Sequence, residues 1–152
     1  MTGKQRIYLD TSVISALLDE RNPERMNLTR DFLAVSEHYD LCISEITTAE
    51  LERTPDPIIR GKMTSSISGF TRLSAPEGTA GLANEYMQKG AIPESHPEDA
   101  YHIAVAVLNG IDSLLSWNFK HIVRQKTRNI VHAVNSSRGL PQINILTPGE
   151  LL

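Results

Sequence analysis

Ile7-Tyr8-Leu9-Asp10-Thr11-Ser12-Val13-Ile14 is the stretch on which the reading of the fold depends. Ile7-Tyr8-Leu9 is a short apolar run of the kind that forms a buried strand. Asp10, Thr11 and Ser12 are all helix-start residues, and Val13, Ile14, Ala16, Leu17 and Leu18 continue on a helical period. A strand that runs straight into a helix is the opening half of a βαβ unit, whose next strand lies parallel to the first. The pattern recurs along the chain. Leu41-Cys42-Ile43, Thr71-Arg72-Leu73, Ser113-Leu114-Leu115 and Ile143-Asn144-Ile145-Leu146 read as further strands. Helices are expected at about Thr11–Leu18, Glu24–Ser36, Glu45–Arg53, Pro57–Ile67, Thr79–Lys89, Pro97–Leu108 and Arg124–Ser137. This alternation predicts an α/β fold, a five-stranded parallel sheet with helices on both faces, built as one domain over residues 1–152.

The bulk composition is consistent with that reading. The 152 residues suffice for one sizeable core, and 40% hydrophobic with 22% charged residues is ordinary for a globular chain. Fifteen Lys and Arg against eighteen Asp and Glu give a net charge of −3, which excludes nucleic-acid binding by bulk charge alone. Aromatic residues make up 5%, so any base-stacking platform is sparse. The single cysteine, Cys42, lies inside a strand-like run and reads as a small buried hydrophobe in a reducing compartment. Lys4 and Arg6 are followed by only three apolar residues before Asp10, which is no secretory pattern. No apolar run approaches the roughly 20 residues that span a bilayer, so a cytoplasmic protein without membrane attachment is expected.

Open parallel sheets gather ligands beyond the carboxyl ends of their strands. The polar residues there are Asp10-Thr11-Ser12, Ser44-Glu45 and Ser116-Trp117-Asn118. Asp10 has two readings. It is the N-cap of the first helix, or Thr11 or Ser12 supplies the cap and the carboxylate is free for a ligand. Glu50 shares a helical face with Ile46 and Thr47, which places it beside the core instead of opposite it. Ser95 and Glu98 stand at capping-box spacing with Pro97 between them, so Asp99 is an acid beyond what the cap requires. It leads into Ile103-Ala104-Val105-Ala106-Val107-Leu108, a helix apolar on every side and therefore buried. His102 could hydrogen-bond near the site, but it reads first as a packed, satisfied histidine. Asn118 and Ser116 fit turn chemistry or the orientation of water near a metal.

Asp10, Glu50 and Asp99 meet at one end of the sheet if the topology is as read. Two like charges about 4 Å apart repel by roughly 4 kcal/mol at an effective dielectric of 20, so such a cluster raises carboxylate pKa values unless a cation binds. Oxygen donors of this type suit Mg²⁺ or Mn²⁺, and no Cys/His spacing suits zinc.

With these residues in view, the chain resembles the PIN-domain family, especially the VapC-type ribonuclease toxins of prokaryotic toxin–antitoxin pairs. The likeness rests on Leu9-Asp10-Thr11-Ser12-Val13-Ile14, the run Ile43 to Leu51, Asp99-Ala100-Tyr101-His102-Ile103-Ala104-Val105-Ala106, and the run Leu115 to Ile122. The resemblance implies a PIN-like three-layer fold and an acidic pocket for Mg²⁺ or Mn²⁺ that cleaves single-stranded RNA. By position it matches Asp10, Glu50 and Asp99 to the family's acidic triad, which would hold the metal; Asn118 joins them as an expected catalytic residue, and Thr11 and Ser116 are expected to support the site by orienting metal-bound water. The family often carries a fourth acid where this chain has Asn118; an amide can still ligate through its oxygen but adds no charge. A cognate antitoxin and a homodimer are implied by the same kinship.

Lys120, Arg124, Lys126, Arg128 and Arg138 occupy a stretch without acids and are the expected phosphate-contacting face. Two other α/β phosphate chemistries are disfavoured. A receiver domain wants an acid pair after the first strand and a lysine after the last, and a haloacid-dehalogenase-type phosphatase wants a second aspartate at position 12, which is Ser12. The remaining alternative is a PIN-fold RNA-binding or regulatory module with little or no catalysis.

Overall fold

A computed structural model describes residues 3–152. Parallel pairing runs through the whole sheet, in the order β3-β2-β1-β4-β5. The strands are β1 (Gln5–Leu9), β2 (Tyr39–Ser44), β3 (Thr71–Leu73), β4 (Ser113–Leu115) and β5 (Asn144–Leu146). The helices are α1 (Thr11–Ala16), α2 (Pro23–Ala34), α3 (Glu45–Glu52), α4 (Pro57–Ser66), α5 (Thr79–Gln88), α6 (Pro97–Leu108) and α7 (Gln125–Arg138). Every strand and helix expected from the sequence is present, with ends displaced by a residue or two. Short 3-10 turns at Ser36–His38 and Pro148–Leu151 complete the described chain.

Strand alternation sorts the core onto two faces. Tyr8, Cys42, Leu114 and Ile145 pack on one side with α5, α6 and α7. Ile7, Leu9, Leu41, Ile43 and Leu115 pack on the other with α1, α2, α3 and α4. α6 is buried nearly all round, from Ala100 to Val107, as its uniform apolar sequence requires. Cys42 is fully buried, and burial pushes its thiol up to about 11, in keeping with a packing role.

One helix start differs from expectation, and another decides between the two readings of Asp10. α6 begins at Pro97, so His96 occupies the N-cap position and no side chain caps the helix; the Ser95–Glu98 box does not form. Proline at the first position fixes this start, because its missing N–H needs no partner there. In α1 the cap is Asp10 itself, which accepts from the Val13 amide at 3.3 Å, and neither Thr11 nor Ser12 takes that role.

The strand order reverses between β1 and β4, because β2 and β3 build out on one side of β1 and β4 and β5 on the other. Such a switch point leaves a crevice at the carboxyl ends of its two strands. Asp10 follows β1 and Ser116 follows β4, so these residues flank it. A cavity of about 780 Å³ lined by Lys4, Arg6, Tyr39, Asp40 and Phe70 lies at the opposite end of the sheet and contains none of the candidate acids.

Candidate functional site

Asp10 is held in place from both sides of the switch point. The Ser116 hydroxyl donates to Oδ2 at 2.5 Å and the Ser12 hydroxyl to Oδ1 at 2.5 Å. Ser116 in turn accepts from the Asn118 amide at 2.9 Å, and Ser12 accepts from the Trp117 amide at 2.8 Å. These bonds fasten the 116–118 turn to the start of α1. The carboxylate is buried with only hydroxyl and amide partners, and burial raises its pKa above the ordinary aspartate range despite the nearby His102 charge and the hydroxyl donors.

Asp99, in the first turn of α6, is joined to the same turn. Asn118 Nδ2 donates to Asp99 Oδ2 at 3.2 Å, and His121 Nδ1 lies 3.0 Å from the same oxygen. Burial raises Asp99 as well, against the opposing effect of His121 and His102. Asn118 therefore does not present its oxygen to the site. That oxygen accepts from the His121 amide at 3.0 Å, which corrects the expectation of an amide oxygen ligand. The Asx turn closed by this bond orients the nitrogen toward Asp99.

Glu50 belongs to a second arm of the network. Its Oε1 accepts from the Thr11 hydroxyl at 2.7 Å and pairs with His102 Nε2 at 2.7 Å. The other ring nitrogen of His102 bonds to the Tyr8 hydroxyl at 2.6 Å, and Tyr8 reaches Ser44 Oγ at 2.7 Å. Burial works against charge on both members of the pair. For Glu50 the His102 bond and charge, with Thr11, outweigh it and hold the carboxyl below its ordinary range. For His102 the Tyr8 oxygen, Glu50 and Asp10 outweigh it and push the imidazole up to about 10. The histidine read from sequence as merely packed is a buried cation between two candidate acids.

The expected acids thus reach one end of the sheet, with Asp10 and Asp99 linked through Ser116 and Asn118, and Glu50 tied to Asp10's neighbour Thr11. They do not close into a three-carboxylate cage: among the described residues, no three His, Cys, Asp or Glu side chains gather closely enough to hold an ion. The donor chemistry around Asp10 and Asp99 nevertheless fits a hard divalent cation. Asp10 is buried and Asp99 partly so; burial keeps both above their ordinary range, and neither is paired with a Lys or Arg among the described residues.

Of the basic residues singled out, Lys120 and Lys126 are exposed. Arg124 donates to Thr127 Oγ1 and the Ala91 carbonyl, Arg128 to the Ile145 carbonyl, and Arg138 pairs with Glu85 at 2.6 Å. Tyr8, Ser12 and His121 were not singled out as site residues. Tyr8 reads as core because its ring is core; only its hydroxyl reaches the site. His121 is brought to Asp99 by a turn whose path no periodicity encodes.

A sequence model of the PIN domain matches residues 7–118. No curated protein matches the chain in sequence. Among solved structures, VapBC2 from Rickettsia felis, bound to a DNA fragment from its promoter, superposes with a TM-score of 0.58 at 16% identity. The match covers 93% of this chain and 97% of that one. VapC20 of Mycobacterium tuberculosis, described as a toxin cleaving the sarcin–ricin loop, superposes with a TM-score of 0.57 at 18% identity, covering 91% and 98%. At these identities the likeness concerns the fold.

Proposed function

Because the chain belongs to the PIN-domain family, we propose that it is a metal-dependent endoribonuclease that cleaves single-stranded RNA as the toxin of a type II toxin–antitoxin pair. The observation that carries this reading is the pair of carboxylates at the switch point, buried Asp10 and partly buried Asp99, both raised by burial, with histidines nearby but no Lys or Arg partner among the described residues. Burial makes both acids costly to ionise by more than the nearby histidines relieve, and a divalent ion offsets that cost.

Asp10 and Asp99 would hold Mg²⁺ or Mn²⁺, with Glu50 acting from the neighbouring arm. Such an ion supplies Lewis-acid stabilisation of a phosphate oxygen and makes a water nucleophilic near neutral pH. Ser12 and Ser116 fix the Asp10 carboxylate, and Asn118 fixes Asp99 by donating to it. Thr11 and His102 keep Glu50 ionised at neutral pH. Lys120 and Lys126, both exposed, are the cations best placed to test phosphate contact without disturbing the fold. Arg124 and Arg128 add charge to the same surface while bracing the backbone. An antitoxin protein and a second copy of the chain are the partners proposed from kinship. The cytoplasm is the compartment proposed; among the described residues no helix is long and apolar enough to cross a membrane.

The test is cleavage of single-stranded RNA with Mg²⁺, Mn²⁺ or EDTA by the wild type, Asp10→Asn and Asp99→Asn. Metal-dependent cleavage lost in both variants supports the reading. Equal residual cleavage in all three sinks it and leaves the RNA-binding or regulatory module, which the neutral Asn118 and the absence of a three-acid group would then explain.

A further inference from the structure

Phe119 is the only exposed aromatic residue among the described residues, at 48% of its surface. It directly follows Asn118, the residue whose side chain donates to Asp99. Its position is not left to a loose loop. Trp117, just before it, is buried, donates its indole N–H to Thr29 Oγ1 at 2.8 Å and is fastened to Ser12 through its amide. The Phe119 ring packs edge-on against Trp117, with centroids 6.2 Å apart.

Arg25, in the first turn of α2, completes the group. Its guanidinium lies 5.2 Å from the Phe119 ring centre and 5.5 Å from that of Trp117. Cation–π contact alone holds it, because among the described residues it has no ion pair or side-chain hydrogen bond. An arginine with no side-chain hydrogen bond among the described residues, fixed against an exposed ring that adjoins the turn bonded to Asp10 and Asp99, is arranged to receive something flat and anionic. Exposed Lys120 follows Phe119, and no acid occurs from there to Arg138, so the surroundings also favour a polyanion. An exposed phenyl ring costs solvation free energy, and stacking of a base recovers it whatever the base, since each has a π face.

Resting on the RNA-directed reading above, we infer that Phe119 and Arg25 form a stacking subsite that takes one unpaired nucleobase next to the carboxylate pair. The base lies on the solvent side of Phe119, and the Arg25 guanidinium meets the adjoining phosphate. One ring and one guanidinium make a single-base grip, the scale that a composition poor in aromatics permits.

The chain's sole tryptophan, Trp117, touches both residues and is the reporter. The full chain in EDTA, where RNA stays intact, is titrated with a single-stranded oligouridylate while Trp117 fluorescence is followed. A second titration uses a strand of the same length carrying abasic riboses. The subsite predicts a saturable change in emission, affinity about ten-fold lower for the abasic strand, and a similar loss in Phe119→Leu and Arg25→Gln. Circular dichroism confirms that both variants are folded, as expected for an exposed ring and an arginine without polar partners. Equal affinity for both strands, or unchanged binding by Phe119→Leu, overturns the subsite. So does a Phe119→Leu variant that keeps RNA affinity but loses a protein partner, which would make this face a protein interface. Base-dependent binding without metal-dependent cleavage upholds the subsite while refuting the nuclease, so the two claims fail separately.

Discussion

His102 meets Glu50 through a 2.7 Å hydrogen bond in a place where the imidazole is almost wholly buried and the carboxylate about a quarter exposed. Their opposite shifts define a charged pair. The Glu50 carboxyl is depressed, so its contribution to stability is present above the ordinary glutamate value and is lost as pH falls through the depressed one. His102 is raised, so its contribution is present in full below the ordinary imidazole value and is lost as pH rises through its folded value.

The expected consequence is a pH-dependent cost of removing the imidazole. His102→Gln keeps a donor near Glu50 but abolishes the charge. The stability difference between wild type and variant, from urea unfolding without metal, should be largest near the ordinary imidazole value of about 6.5 and shrink toward about 10. A difference that does not change across that range means that His102 acts through packing alone.

Asp10→Asn should remove activity while leaving the fold intact. The substitution keeps shape and an oxygen for Ser116 or Ser12, and it discards a charge that burial disfavours. Cleavage should fall by at least about a hundred-fold, since the lost group anchors the charge-stabilising ion. Thermal melting in EDTA should be unchanged or higher at neutral pH. The sign follows from the raised pKa: the wild type carries the burial cost at pH above it and sheds that cost as pH falls from the raised value to the ordinary one, so the two melting curves converge in acid. Wholesale unfolding of the variant would instead make Asp10 a structural cap.

The positions of Asp10 and Ser116 were legible because topology alone places residues that end neighbouring parallel strands at one crevice. The strand-like runs and the all-apolar α6 were legible for a similar reason, since burial on every side leaves an unmistakable composition. The role of His102 was not. Its proximity to Glu50 joins α6 to α3 across the sheet end, and a histidine in an apolar helix gives no sign of the partner it will find. For Asn118 the turn reading holds and the oxygen-ligand reading does not, because residue type states what a side chain can do, while its orientation is fixed by the turn that follows. The three-acid cage was overdrawn for the same reason: spacing brings carboxylates to one region, but hydrogen bonds decide which of them touch.

Thr47 offers a test of packing in α3, on the helix that carries Glu50. Its side chain is fully buried in α3, and its hydroxyl is the one buried side-chain polar atom without a hydrogen-bond partner among the described residues. Thr47→Val keeps the shape and the β-branch while removing a group that was desolvated without compensation. Stability should rise by about 1 kcal/mol in denaturant titration, with cleavage unchanged. A loss of similar size would show that the hydroxyl has a partner in solution, such as a bound water.

Asn118→Asp introduces an acid at the position where the PIN-domain resemblance implies one, and its outcome separates apo stability from ion affinity. The new carboxylate can still close the turn by accepting from the His121 amide, because either oxygen serves that bond. What it cannot do is donate to Asp99, whose Oδ2 lies 3.2 Å from the present amide nitrogen. Two carboxylates at such a separation repel by up to about 4 kcal/mol at an effective dielectric of 20, so the variant should melt lower in EDTA and its acids should protonate more readily. Mn²⁺ relieves that repulsion and gains a ligand. The rise in melting temperature on adding Mn²⁺ should therefore be larger for Asn118→Asp than for wild type, and half-saturation should come at a lower concentration. An equal Mn²⁺ shift in the two proteins would mean that the ion does not sit between positions 99 and 118, and the carboxylate pair would lose its claim to the metal.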